Sequence, residues 1–307
     1  MQAAVDAVQS SPHPTNKIAA TLAGVNANAA PFAITRTNHW PVAIKNAFGQ
    51  NTAIGNSSGT VHAETACILD APKLGYRTQN ASLFITDPPC PNCMKNIAEA
   101  GITALYIDHK GFDKDWSARR GDSFKTMSMR IAAKAGIDVY ALYRKEQRFE
   151  VISQHAQGYK PAQENLATIT PTDDSFAILI QNAQHTYKEK AFSLAIATNQ
   201  KEERTSILVN PHPTVGYTYE TVEDKSDKYS FILQPLNRLL MIAAREGLQL
   251  DPNHIHSSRV PTSRELVNFI AAGFSQIQIA DTKKARDEFG PLALEQLVNA
   301  GILKLTQ

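Results

Sequence analysis

His62-Ala63-Glu64 and, twenty-five residues on, Pro89-Cys90-Pro91-Asn92-Cys93 are the stretches from which the rest of the chain is read. They offer one imidazole and two thiols as metal donors, with a carboxylate beside them. Zn²⁺ accepts neutral imidazole and thiolate readily, and a catalytic zinc site keeps three protein ligands and leaves a fourth position for water. His62, Cys90 and Cys93 are the candidate ligands, and Glu64 the candidate proton carrier. The flanks agree with this. Cys90 stands at an N-cap and Pro91 at the first helical position, where the missing N–H of proline would be unpaired anyway. His62 opens a second helical run, ending before Gly75. Two helix starts then face one cation, and their unpaired N–H groups favour thiolate.

The order of elements around these segments is alternating. Lys17–Ala23 and Phe32–Arg36 read as strands, followed by a turn with Asn38, His39 and Pro41 and a polar loop from Gly49 to Thr60. Ser82–Thr86 is a short apolar strand running into the cysteine helix, which Gly101 ends as a C-cap. Leu105–Ile107 is the next strand, Ser123–Ala135 a helix closed by Gly136, and Val139–Leu142 a last strand. Such alternation predicts a largely parallel sheet covered by helices. Ligands of such sheets sit at the carboxyl ends of strands, where Cys90 lies.

Residues from about 10 to 145 resemble the cytidine/deoxycytidylate deaminase superfamily in motif, element order and helix-terminating glycines. The wording of Pro89–Ile102 is nearer the pyrimidine branch than the tRNA adenosine branch. The resemblance implies a three-layer α/β/α cytidine-deaminase-like fold, a zinc cofactor, and hydrolytic deamination. It also implies a substrate-holding asparagine after the second strand, Asn38 or, second, Asn51. Ala63, Pro89 and either Arg119 or Arg120 are the remaining substrate-side candidates. Arg119 and Arg120 lie in the loop after the fourth strand, where guanidinium could clamp a phosphate; a solvated charge run is the plainer reading of that loop. Cys67, one turn beyond Glu64, reads as a buried filler rather than a ligand.

The second half repeats the first without its chemistry. Pro89–Ile102 and Pro261–Phe274 align without a gap, matching proline, Asn96 with Asn268, alanine, and Gly101 with Gly273. Ile207–Pro213 echoes Ile34–Pro41. Thr262 and Glu265 stand where Cys90 and Cys93 do, and Gln234 and Leu236 where His62 and Glu64 do. This predicts a duplicated fold, with residues 1–155 as a catalytic domain, residues 172–307 as a copy without zinc ligands, and a polar connector over Arg144–Pro171.

Composition sets further bounds. The chain has 307 residues, 43% hydrophobic and 20% charged, as soluble globular proteins do. No run approaches the roughly 20 apolar residues that span a bilayer. Three cysteines, no signal-like N-terminus and no disulfide framework predict a cytoplasmic protein with thiols kept for metal. The first 155 residues hold 16 Lys+Arg against 12 Asp+Glu, and the remainder 15 against 17. With no dense basic stripe, a nucleic-acid groove is not expected.

The expected reaction is zinc-dependent deamination of a cytosine-type nucleoside or nucleotide (cytidine, deoxycytidine or dCMP) to the uracil product. Zinc lowers the pKa of a water, and Glu64 moves its proton to the ring and then to the leaving amine. A purine or tRNA adenosine substrate is the alternative, and a zinc scaffold without catalysis a second; Glu64 speaks against the scaffold. A homodimer is the expected assembly.

Overall fold

The computed structural model describes residues 1–26, 29–50, 52–112, 122–163, 167–222 and 230–306. The chain forms two compact units, each assembled from three stretches. The first comprises Met1–His39, His62–Glu164 and Pro213–Leu233; the second comprises Trp40–Val61, Asn165–His212 and Gln234–Gln307.

The first unit is built on a six-stranded sheet. In chain order it has α1 (Gln2–Ala7), β1 (Ala19–Val25), β2 (Pro31–Thr37), α3 (Ala63–Asp70), β3 (Ser82–Ile85) and α4 (Pro91–Glu99). There follow β4 (Ala104–Asp108), the single turn α5 (His109–Phe112), α6 (Asp122–Ala135), β5 (Asp138–Tyr143) and β6 (Arg148–Ser153). The sheet order is β2-β1-β3-β4-β5-β6. Ala19, Ala20, Thr21 and Leu22 are buried in succession, which requires cover on both faces of the sheet. α1 and α3 both pack on β1 and β2.

The expectation of a largely parallel sheet is corrected here. Only β3/β4 and β4/β5 run parallel, while β1/β2, β1/β3 and β5/β6 are antiparallel. Connection length is the reason. A few residues join β1 to β2 and β5 to β6, which permits only a hairpin, whereas α4 and α6 supply the crossovers that parallel neighbours need. The Arg144–Pro171 stretch, expected to be a connector, accordingly holds β6 and a further strand, β7 (Thr168–Pro171).

The second unit repeats this plan. It contains α2 (Val42–Phe48), β7, α7 (Phe176–Tyr187), β8 (Ser193–Thr198), β9 (Arg204–Val209), α8 (Pro235–Glu246), β12 (Gln249–Ser257), α9 (Ser263–Ala271), β13 (Gln276–Ile279), α10 (Phe289–Asn299) and β14 (Lys304–Thr306). Two-residue strands β10 (His212–Pro213) and β11 (Ile232–Leu233) bracket the stretch that counts with the first unit. The order β9-β8-β12-β13-β14 matches β2-β1-β3-β4-β5, with the same antiparallel and parallel senses. Only the extra edge strand differs: β7 beside β9 in one unit, β6 beside β5 in the other. α3 and α8, and α4 and α9, begin at positions that differ by the same 172 residues, and the latter pair also end so. Gly101 and Gly273 follow that pair with φ of 71° and 92°, a left-handed conformation that only glycine adopts without steric cost.

Each unit borrows the stretch between its partner repeat's second hairpin strand and next helix. In the first unit, Lys95 on α4 is buried and donates from Nζ to the carbonyls of Ser230 (2.7 Å) and Ile232 (3.2 Å). The guanidinium of Arg130 lies 5.5 Å from the centre of the Phe231 ring. In the second unit, the Gly55 N–H donates to Gln296 Oε1 at 2.8 Å, and Arg264 donates to the Thr60 carbonyl. Gly55 admits no side chain, since a Cβ there would stand 2.1 Å from Ser263 Oγ. A chain ended near Gly158 would lose the carbonyls that hold the Lys95 ammonium, leaving a buried cation without them.

Glu265 shows how the second unit keeps its helix starts together without metal donors. It is buried; one carboxylate oxygen accepts from the N–H groups of Leu236 (2.8 Å) and Asn237 (3.3 Å) at the start of α8. The other accepts from the N–H and hydroxyl of Thr262, both at 2.8 Å, closing a capping box on α9. One carboxylate thus pins two helix N-termini, the end of a helix that favours negative charge. Each donor left unpaired in a buried place costs about 1–3 kcal/mol. Glu265→Ala should therefore lower the unfolding free energy by about 3 kcal/mol in urea titration, and Glu265→Gln by less. A change within the error of the titration would remove this role from Glu265.

Candidate active site

The site of the first unit is set by two helix starts. His62 is the N-cap of α3 and Cys90 the N-cap of α4, both with extended backbone. Pro91 occupies the first turn of α4, and the Cys93 N–H donates to Cys90 Sγ at 3.4 Å. His62 Nδ1 lies 3.2 Å from Cys93 Sγ and 3.6 Å from Cys90 Sγ. The three donor atoms all fall within 4.8 Å of one another. One imidazole nitrogen and two sulfurs at this spacing suit a tetrahedral N/S ion such as Zn²⁺.

The electrostatics fit a cation as well. The hydrogen bond between the two sulfurs, together with the neighbouring His62, holds the Cys90 thiol well below the usual thiol range despite its burial. The same bond and burial push Cys93 up, and binding of a metal ion would favour its thiolate as well. Thr65 donates its hydroxyl toward Cys93 Sγ at 3.7 Å, and Asn96 donates to Thr65 Oγ1 at 3.3 Å. Thr65 and Asn96 thereby fix the orientation of a ligand. Sequence reading did not assign them this place; the recurrence of Asn96 as Asn268 is the signal that could have done so. Asn268 in turn donates to Asn237 at 2.9 Å, and Asn237 stands 172 residues beyond Thr65.

Glu64 is buried in the first turn of α3, and among the described residues its Oε2 has no hydrogen-bond partner. Burial, offset in part by His62 and reinforced by Cys90, raises its pKa to about 7. A buried carboxylate oxygen in this position could exchange protons with a small polar molecule placed beside the three donors.

Asn38 is brought to this centre, though with both side-chain polar atoms engaged. Its Oδ1 accepts from the Ala63 N–H at 2.8 Å and its Nδ2 donates to the Asn16 carbonyl at 3.0 Å. His62 makes no side-chain cap of its own helix, and Asn38 supplies the missing acceptor at the first helical N–H. Ala63 and Pro89 are buried beside the ligands they adjoin. Asn51, Arg119 and Arg120 lie outside the described residues. Cys67 is directed away, its Sγ 3.3 Å from the carbonyls of both Ala20 and Ile34, and burial pushes its thiol up to about 12. It is a filler between helix and sheet. Burial lowers the pKa of His13, and the nearby His62 charge lowers it further.

No helix among the described residues is long and apolar enough to cross a membrane. Comparison with known proteins points the same way as the geometry. Residues 1–108 match the family described as the cytidine and deoxycytidylate deaminase zinc-binding region. ComE operon protein 2 of Bacillus subtilis (strain 168) is 43% identical over 47 residues, 15% of this chain and 25% of that protein. The deoxycytidylate deaminase of Enterobacteria phage T2 is 40% identical over 50 residues, 16% of this chain and 27% of that one. The chain thus spans about a quarter of the length of these curated relatives. Among solved structures, dCMP deaminase from the cyanophage S-TIM5 in complex with dCMP and dUMP aligns at a TM-score of 0.34 and 22% identity, covering 46% of this chain and 92% of that one. His62, Cys90 and Cys93 thus converge within a segment, residues 1–108, that matches the cytidine and deoxycytidylate deaminase zinc-binding region.

Proposed function

We propose that the chain hydrolytically deaminates a cytosine-type nucleoside or nucleotide (cytidine, deoxycytidine or dCMP), releasing ammonia and the uracil product. The observation that carries this reading is the buried, unpartnered Glu64 oxygen beside the His62, Cys90 and Cys93 donors. His62, Cys90 and Cys93 would hold zinc, which would supply Lewis-acid activation of a water molecule. Glu64 takes a proton from the attacking water and passes it to the ring nitrogen. It then takes the second proton from the added hydroxyl as the carbonyl forms and gives it to the departing amine, acting as base and acid in turn. A pKa near 7 suits a group that must both accept and give up a proton near neutrality.

Asn38 acts on this reaction by fixing the first turn of α3, and with it the angle of Glu64. Residues 1–155 form the catalytic half and residues 172–307 the copy without zinc ligands, in which Gln234, Leu236, Thr262 and Glu265 provide no comparable donor set. Arg119 or Arg120 meets the phosphate of a nucleotide substrate, and the working form is a cytoplasmic homodimer.

A panel of cytosine, cytidine, deoxycytidine, their monophosphates, adenosine and guanine, read by ammonia release, tests the reading. Release from a cytosine nucleoside or nucleotide, with none from the purines, is expected. Release from adenosine or guanine alone would replace the pyrimidine assignment, and release from none would remove the activity.

A further inference from the structure

The second unit has lost the metal donors but keeps a cleft at the corresponding end of its sheet. A cavity of about 580 Å³ opens where β12 and β13 end and β8 begins, floored by Ala191, Phe192, Ala280 and Ala285. That volume lies within the range of small-molecule sites, and the carboxyl ends of parallel strands are where ligands of α/β sheets bind. The same end of the first unit carries the turn after β3 that leads to Cys90.

The wall of the cleft is cationic: Lys188, Lys190, Arg259, Lys283 and Lys284 line it, against Glu189 and Asp281. Both carboxylates are directed at one of these cations, since Lys284 Nζ is 3.0 Å from Glu189 and 3.9 Å from Asp281. Among the described residues Arg259, Lys188, Lys190 and Lys283 make no ion pair, although Arg259 is near enough to the buried Glu265 for their charges to attract. Arg259 is half-buried. It also reverses a charge: counted by the 172-residue offset, it stands where the first unit has Asp87, and Ala280 stands where that unit has Asp108.

The cleft is held open by backbone rather than by its long side chains. The Ser258 N–H donates to the Phe192 carbonyl at 3.0 Å, and the Phe192 N–H to Ser258 Oγ at 2.9 Å. The Val260 N–H donates to the Lys284 carbonyl at 2.9 Å, and the Ala280 N–H to the Ser257 carbonyl at 3.0 Å. Three segments of chain are thereby fixed around the space. Lys188 is also held at φ 50°, a conformation uncommon for a residue with a side chain and worth a functional explanation where it borders a cavity.

We propose that this cleft binds a small organic phosphate, with the phosphate group on Arg259 and Lys283 and the organic part over Phe192 and the alanines. Guanidinium matches phosphate oxygens through paired N–H groups, and a half-buried one without a salt bridge gains from an anion placed on it. The apolar floor gives the organic portion a surface that inorganic anions would not use.

Isothermal titration of the zinc-loaded full chain with ribose 5-phosphate, at constant ionic strength and with ribose as the uncharged control, tests this. Saturable binding of ribose 5-phosphate and none of ribose is expected. Arg259→Gln should weaken it about tenfold or more, the loss of one charge-assisted contact, and Lys283→Gln by a few-fold. Lys283 is exposed, so its substitution reports on binding even if Arg259→Gln disturbs folding. No saturable heat with millimolar ribose 5-phosphate would overturn the proposal. So would binding left unchanged by both substitutions, which would place the ligand elsewhere, including the site of the first unit. Deaminase activity does not enter either readout, so failure here leaves the proposed reaction untouched, and the converse holds.

Discussion

Glu64→Gln should leave zinc and fold in place while turnover falls by at least about 10²–10⁴-fold, the usual worth of proton transfer by a positioned group. The amide is nearly isosteric with the carboxylate and fills the same buried space, but it cannot carry a proton between water, ring nitrogen and leaving amine. Stability should not fall with it. Glu64 is buried with one oxygen unpartnered, and exchanging a desolvated carboxylate for a neutral amide relieves a cost. The combination is informative: lost ammonia release with an unchanged or higher melting temperature and full zinc content. Near-normal ammonia release from the variant would show that another group moves the proton, and the mechanism would have to be redrawn.

The second large effect concerns metal. Elemental analysis should find one zinc per chain, held by the first unit, and Cys93→Ala should reduce it to a trace. Because ligands bind the folded state alone, metal saturating its site about a thousandfold above its dissociation constant stabilises by about 4 kcal/mol. A strong chelator should therefore lower the melting temperature of the parent chain and leave that of Cys93→Ala unmoved. Two zinc ions per chain would contradict the assignment of the second unit as metal-free, where Thr262 and Glu265 bond each other and the start of α8. A chain with no zinc, when expressed with zinc supplied, would contradict the site itself.

Glu265 and Cys93 show two solutions to one problem. Each repeat brings two helix N-termini together, and each needs something there to meet the exposed N–H groups and their positive field. In the first unit thiolate sulfur and a cation fill the place; in the second a single carboxylate accepts from both helices. Replacing the sulfur donors by a carboxylate in the second repeat therefore does not require loss of the fold.

What could be read from the chain alone was what depends on near neighbours. Cys90 with Pro91 marks a helix start because cap and first turn are set within a few residues, and Gly101 and Gly136 mark helix ends because only glycine takes the left-handed turn cheaply. The in-register match of Pro89–Ile102 with Pro261–Phe274 carried the duplication, since identical local requirements recur at a fixed offset. The grouping of His62, Cys90 and Cys93 was legible for the same reason: a donor set spaced on two helix starts is a local pattern twice over. Strand sense was less secure, and β6, β7 and α2 were missed, because short polar edge elements acquire their structure from the strand or helix they pair with. The partner of Asn38, the carbonyls around Lys95, the four bonds of Glu265 and the half-buried place of Arg259 belong to tertiary structure alone. Each depends on atoms tens to hundreds of residues away along the chain, and burial decides whether such a polar group must find a partner or can be left to water.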